Sequence, residues 1–267
     1  MTQPNGITDR EVAFALRMAG AARATLAEGE GQGLGVEVKP DRSFVTRMDR
    51  AIEDVLRAMI EAEFPAHGII GEEAGTAREG ASHVWVIDPI DGTAPFIVGI
   101  PVYGTLIALA VDGVPVLGII DAPAIDQRWL GVAGRPTTLN GRPCRTRDCA
   151  ALAQAVMTNS NQDYMSADEL PALNALRGLT ANRVYGGACL NYGRLAEGRS
   201  DLAIDAGQKV FDFAPFRPIV EGAGGVISDW AGRPLTLDSG GRILAAGGRA
   251  CHEAALAVIA DLGIAPA

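Results

Sequence analysis

One stretch, His83 to Phe96, constrains the chain more than any other: it reads H-V-W-V-I-D-P-I-D-G-T-A-P-F. Val84 to Ile87 is an apolar run of β-branched and aromatic residues bounded by breakers, which predicts a strand buried on both faces. Pro89 and Gly92 oppose a continued strand, so the run is expected to stop at Asp88. Two carboxylates, Asp88 and Asp91, then stand at the strand's end, where open α/β sheets place their chemistry. Thr93 is expected to cap a helix beginning at Ala94 and Pro95, because Pro is tolerated in a first turn. Free N–H groups there would attract an anion such as phosphate, whereas the two acids would repel it. One bound divalent cation reconciles them. Asp-Pro and Asp-Gly pairs also form ordinary turns, so the rest of the chain must decide between a turn and a site.

Further acids stand in comparable places. Ile52, Val55, Leu56, Met59 and Ile60 follow a helical stripe that Phe64-Pro65 terminates, and Asp49 falls on the inward face of that stripe. Such a carboxylate is either a helix-end partner or a site residue. Ile69 and Ile70 predict a short strand ending in Gly71-Glu72-Glu73. Asp212 precedes a helix expected over Phe213 to Ala223, and alone it reads as an N-cap; Pro218 is expected to distort that helix. Asp49, Glu72, Asp88, Asp91 and Asp212 are hard oxygen donors without His or Cys, which suits Mg²⁺ or Mn²⁺ better than Zn²⁺. Gathered without cations they would repel by about 4 kcal/mol per pair at about 4 Å and an effective dielectric of about 20. Two such cations would clamp a phosphate and activate water, which describes metal-assisted phosphoester hydrolysis. In that scheme N–H groups around Gly92 and Thr93 hold phosphate oxygens, and the Thr93 hydroxyl orients the water. His67, His83 and His252 have no ligand spacing and read as structural or surface residues.

With 267 residues, 48% of them hydrophobic, the chain can bury a substantial core. A net charge of −9 with no basic cluster excludes a nucleic-acid surface. Cys144, Cys149, Cys189 and Cys251 lack C-x-x-C spacing, which points to reduced thiols and a cytoplasmic location. No basic segment followed by an apolar core opens the chain, so no secretory signal is expected. The most apolar window, Gly104 to Ile120, contains Asp112, Gly113 and Pro115; it predicts two strands around an Asp-Gly turn, not a membrane span. Thr8 with Glu11 predicts a capping box for a helix from Thr8 to Glu28, with Val12, Ala15, Leu16, Ala19 and Leu26 inward and the Gly29 to Gly35 segment ending it.

The chain divides into residues 1–148, an α+β half carrying most of the acids, and 149–267, an α/β half carrying Asp212. In the second half, strands are expected near Ala155 to Thr158, Arg183 to Tyr185, Asp201 to Asp205, Gly225 to Ser228 and Ile243 to Ala246. Helices are expected near Asp168 to Arg177, Ala188 to Glu197, Phe213 to Ala223 and Cys251 to Leu262. That alternation predicts a mainly parallel layer. Gly222-Ala223-Gly224-Gly225 closes a helix where a dinucleotide fingerprint would open one.

G-E-E at Gly71 to Glu73, W-V-I-D-P-I-D-G-T at Trp85 to Thr93, and F-D-F-A-P with I-V-E-G-A-G-G at Phe211 to Gly225 resemble the inositol monophosphatase superfamily of Mg²⁺-dependent, lithium-sensitive phosphatases. The order and spacing agree over nearly the whole chain. The resemblance implies a layered α-β-α-β-α sandwich, a homodimer, and a small phosphorylated substrate. It implies two or three Mg²⁺ ions held by Glu72, Asp88, the Ile90 carbonyl, Asp91 and Asp212. Asp49 and Thr93 would polarise the nucleophilic water, with Glu73 in support. Tyr103 to Leu109, Ile119 to Pro123, Gln127 to Trp129 and Val220 to Trp230 look most like the histidinol-phosphate phosphatase branch. That implies L-histidinol phosphate as substrate, in histidine biosynthesis, with an inositol, sugar or cyclitol monophosphate as the alternative. Three departures bear on the choice. Ala188, after Gly187, stands where that branch has Asp; Ala94-Pro95 replaces polar residues; and Asp205 replaces a Glu that meets the substrate's polar end.

Overall fold

A computed structural model describes residues 6–264 apart from 30, 32 and 79. The glycine-rich segment after the first helix therefore lies partly outside the described residues. The first half contains α1 (Asp9–Glu28), β1 (Glu37–Val38), β2 (Phe44–Val45), α2 (Arg47–Glu63), β3 (Gly68–Gly71), β4 (Gly75–Ala77), β5 (His83–Asp91), α3 (Thr93–Ile97), β6 (Gly104–Val111), β7 (Val114–Ala122), β8 (Gln127–Val132), β9 (Thr138–Leu139) and β10 (Arg142–Pro143). The second contains β11 (Val156–Asn159), α4 (Leu170–Leu179), β12 (Asn182–Tyr185), α5 (Leu190–Ala196), β13 (Leu202–Asp205), α6 (Val210–Phe213), α7 (Phe216–Gly222), β14 (Val226–Asp229), β15 (Ile243–Ala246) and α8 (Arg249–Asp261).

Eight strands form one sheet in the order β10-β9-β8-β7-β6-β5-β3-β4, and five form another in the order β12-β11-β13-β15-β14. Helices α1 and α2 cover one face of the larger sheet, with Phe14, Met18, Leu56 and Ile60 meeting Trp85 and Ile87. Between the sheets, Leu106, Ile120 and Trp129 pack with Tyr192 of α5, Phe216 and Ile219 of α7, and Ala203 and Ala245 of the smaller sheet. Beyond the smaller sheet lie α4 and α8, through Leu173, Leu176, Ala255 and Ile259. The architecture is the expected α-β-α-β-α sandwich. Two glycines let α7 reach the larger sheet: a Cβ on Gly118 would meet the Pro215 carbonyl, and one on Gly131 would meet the Ile219 backbone.

Three expectations need correction. The smaller sheet is mixed: β11 runs parallel to β12 and β13, but β15 is antiparallel to both β13 and β14. A loop instead of a helix joins β14 to β15, so the chain returns in the opposite direction. The capping box of α1 forms as expected, and Ala15 and Ala19 are buried with Val12 and Leu26 packed against the core, but Phe14 and Met18 join that face and Leu16 does not. Leu16 is 36% exposed, because the larger Phe14 and Met18 claim the core. The helix expected over Phe213 to Ala223 is two helices, and Pro218 lies in the first turn of α7, where its missing N–H has no intrahelical partner to lose.

Candidate active site

Strand β5 sets the geometry. Its run does not stop at Asp88 but reaches Asp91, and the ladder with β6 shifts on the way. Asp88 pairs with Leu106 and Asp91 with Gly104, so three steps along β5 match two along β6. That extra residue is a β-bulge. Its physical effect follows from alternation. Val84 and Val86 pack against Ala214, just past α6, so Asp88 shares their face, and in a regular strand Asp91 would point the opposite way. The bulge turns Asp91 back. Pro89 has no N–H to lose there, and its carbonyl accepts from Thr105 Oγ1 at 2.8 Å. Carboxylate oxygens of Asp88, Asp91 and Asp212 then all lie within 4.8 Å of one another.

Asp212 arrives from the second half. It is the third residue of α6, not its N-cap, and its Oδ2 accepts the Lys209 N–H at 2.6 Å. The short helix is thus turned so that the carboxylate closes its own first turn beside β5.

The D-G-T turn also departs from expectation. Gly92, at φ +84°, occupies the cap position of α3, and Thr93 is the first helical residue with no capping bond. A Cβ at Gly92 would stand 2.6 Å from the Val102 carbonyl, so glycine is required on two counts. Freed from capping, Thr93 Oγ1 donates to the Ile90 carbonyl at 2.9 Å and reaches Asp49 Oδ1 at 3.4 Å. Asp49 sits fully buried in the first turn of α2. Its Oδ2 takes the Thr46 N–H at 2.7 Å and the Thr46 hydroxyl at 2.6 Å, which leaves Oδ1 for Thr93.

Glu72 and Glu73 follow β3, and Lys39 Nζ bridges them at 2.9 and 2.7 Å. Glu53, almost fully buried on α2, accepts the N–H groups of Glu73 and Ala74 at 2.8 and 2.9 Å. Neither Lys39 nor Glu53 stood out as a site residue in the sequence. For Glu53 a signal existed, since it lies one turn beyond Asp49 on the same helix face. For Lys39, in a two-strand hairpin, there was none.

The electrostatics are those of crowded, buried acids, with Lys39 as counter-charge at Glu72 and Glu73. Burial, then the charges of Glu72, Asp91 and Asp212, hold the Asp88 carboxyl well above its ordinary range. Burial and Asp91 raise Asp212 likewise. Burial raises Asp91 too, against the Cys189 N–H that donates to it at 2.6 Å. Burial lifts Glu72 to about 7 despite Lys39, and burial also raises Asp49. Asp88 Oδ1 is buried with no hydrogen-bond partner among the described residues. Hard oxygen donors, one of them orphaned and all held against ionisation, fit a divalent cation.

On the second half's side, Gly187 leads into Ala188, whose φ of +45° is unusual for a residue with a Cβ. A Cβ on Gly92 would touch Ala188 at 3.3 Å, so Ala188 faces the D-G-T turn. Asp205 is closed off: Asn159 Nδ2, the Ser160 N–H and hydroxyl, and the Tyr192 hydroxyl all donate to it, at 2.9, 2.7, 3.0 and 2.9 Å. The histidines stand apart from the cluster. His67 stacks on Phe64 and His83, and His252 pairs with Ser228.

The chain is similar to known proteins over nearly its whole length. It is 40% identical over 227 residues to the Bifunctional phosphatase IMPL2, chloroplastic, of Arabidopsis thaliana, covering 82% of this chain and 66% of that protein. It is 35% identical to a Histidinol-phosphatase of Chlorobaculum parvum, covering 84% of this chain and 87% of that one. A solved inositol monophosphatase from Zymomonas mobilis superposes with a TM-score of 0.86 at 40% identity, covering 94% of this chain and 98% of that one. The Inositol monophosphatase family model matches residues 8–263, a span that includes the bulged strand, the D-G-T turn and Asp212. With its acids converging as a phosphate-handling site requires, the chain belongs to the inositol monophosphatase family, whose members are phosphoric monoester hydrolases.

Proposed function

We propose that the protein is a Mg²⁺-dependent phosphomonoesterase acting on L-histidinol phosphate, releasing L-histidinol and phosphate. The observation that carries the reading is the convergence of Asp88, Asp91 and Asp212 beside the Thr93–Asp49 pair. The likeness to a histidinol-phosphatase supports the substrate. Asp88, Asp91, Asp212, Glu72 and the Ile90 carbonyl would hold two or three Mg²⁺ ions, with Mn²⁺ as a substitute. Bound there, such cations would offset phosphate charge and would make a water easier to deprotonate. Thr93 and Asp49 orient the attacking water and draw on its proton, and the N–H groups of Gly92 and Thr93 receive phosphate oxygens. Glu73 supports Glu72 through their shared Lys39. Asp205 acts indirectly, holding Ser160 and Tyr192 beside Gly187 and Ala188.

An inositol or other cyclitol monophosphate is the second reading. It is favoured by the small Ala188 and by the likeness to the Zymomonas inositol monophosphatase. A homodimer accords with exposed Val98, Ile100, Val184 and Tyr185, and four free cysteines accord with a reducing cytoplasm. No described helix is long and apolar enough to cross a membrane. The test is phosphate release from histidinol phosphate and inositol 1-phosphate, with and without Mg²⁺, by the wild type and Asp88→Asn. Turnover independent of metal, or undiminished in the variant, overturns the mechanism. A higher kcat/KM for inositol 1-phosphate replaces the first substrate with the second.

A further inference from the structure

Because Asp205 is enclosed by four donors, recognition of the alcohol that leaves with the phosphate must come from residues still open at the rim. The chain just after the Asp205-bonded Ser160 forms a 3-10 turn at Gln162–Tyr164, fastened by Asn161 Oδ1 accepting the Asp163 N–H at 2.9 Å. Tyr164 ends this turn and is 57% exposed, and no other ring stacks on it among the described residues. Its backbone rests on Gly207, in the loop between Asp205 and Asp212. A Cβ at Gly207 would lie 2.6 Å from the Tyr164 carbonyl, so the turn is pressed against the segment that delivers Asp212. The backbone and Cβ of Tyr164 are therefore anchored to both segments that build this edge of the site. Partial burial raises the Tyr164 phenol above its usual range against the Asn161 side chain of the same turn, and the acids Asp91, Asp212 and Glu72 add to the rise, which sets the phenol near the acid cluster.

Resting on the phosphatase reading above, we infer that Tyr164 is a specificity-determining residue whose ring receives the leaving alcohol and selects one that is flat or cationic. An open aromatic face attracts cations and planar heteroaromatics, through its quadrupole and by stacking, and offers little to a neutral polyol. An amino alcohol bearing an imidazole meets both criteria, and a cyclitol meets neither.

The test compares Tyr164→Ala and Tyr164→Phe with the wild type in the presence of Mg²⁺. For histidinol phosphate, Tyr164→Ala raises KM roughly tenfold with kcat within about twofold, whereas Tyr164→Phe, which keeps the ring, stays near wild type. For inositol 1-phosphate both variants stay within about twofold of wild type. Calorimetric binding of L-histidinol, without turnover, weakens in parallel in Tyr164→Ala. An equal KM rise for both substrates, an unchanged KM for histidinol phosphate, or wild-type indifference to L-histidinol overturns the inference. A wild type that binds L-histidinol through Tyr164 but releases no phosphate sinks the phosphatase reading while the platform stands.

Discussion

Glu53 and Glu73 are held together across the chain: Glu53 Oε2 accepts the Glu73 N–H at 2.8 Å, while Oε1 takes the Ala74 N–H and the Arg57 Nε–H. One buried carboxylate of α2 thus shapes the loop that presents Glu72. Beneath it, a Cβ on Gly71 would run into the same Glu53–Arg57 pair.

Removing Glu53 strands two backbone donors and a guanidinium. Glu53→Ala is expected to lower stability by roughly 2–4 kcal/mol and to raise the Mg²⁺ concentration needed for half-maximal activity. Urea unfolding and Mg²⁺ titration of phosphate release check this. Unchanged metal dependence in a folded variant would show that the loop is set by other contacts.

The Thr93–Asp49 contact carries a kinetic prediction. Thr93→Ala and Asp49→Asn each lower kcat by about 10²–10⁴, and the double variant loses little more than the worse single one, because the pair acts as a unit. Stopped assays of phosphate release across the double-mutant cycle measure it. Multiplicative losses would mean that the two side chains act separately.

Without metal, stability falls as pH rises. A carboxyl whose folded pKa lies above its unfolded value favours the fold while protonated, so its contribution is complete below the unfolded value and disappears through the folded one. Glu72 spans 4.5 to about 7 and Asp205 spans 3.8 to about 6, both in the same direction. Metal-free protein therefore loses roughly 1 kcal/mol per pH unit per group through these windows. Saturating Mg²⁺ reverses the part that Glu72 contributes, since the ligands must ionise to bind, and leaves the Asp205 part in place. Thermal melts from pH 4.5 to 8, with chelator and with Mg²⁺, decide; parallel curves contradict the cluster's role.

The glycine under α7 predicts a packing defect. In Gly131→Ala the new methyl meets the Ile219 backbone at 2.4–2.5 Å, which no rotamer relieves. A loss of about 1–3 kcal/mol is expected, with weakened metal binding because α6 and Asp212 precede α7 directly. Differential scanning calorimetry and Mg²⁺ titration check it, and an unaltered Tm rules out the close approach.

Much of the site's chemistry was legible in the chain because it depends on local rules. The run Val84 to Ile87 reads as a buried strand, Asp49 lies on an inward helix face, and Asp112-Gly113 reads as a turn, each from periodicity or backbone freedom within a few residues. Where local rules compete, reading stopped. Pro89 looked like a strand end and is a bulge; Thr93 looked like a cap and is a hydroxyl aimed at Asp49.

The sequence by itself determined which groups are available: hard-oxygen acids in place of nitrogen and sulfur donors, glycines where the chain turns sharply, and apolar runs and stripes that mark buried strands and inward helix faces. Only the tertiary structure decided which of those acids meet. The bulge turns Asp91 to the side of Asp88, the split before α7 carries Asp212 to them, and four internal donors withdraw Asp205. The reason is physical: side-chain direction follows from register and packing between segments that are not neighbours along the chain, and no local pattern encodes those relations.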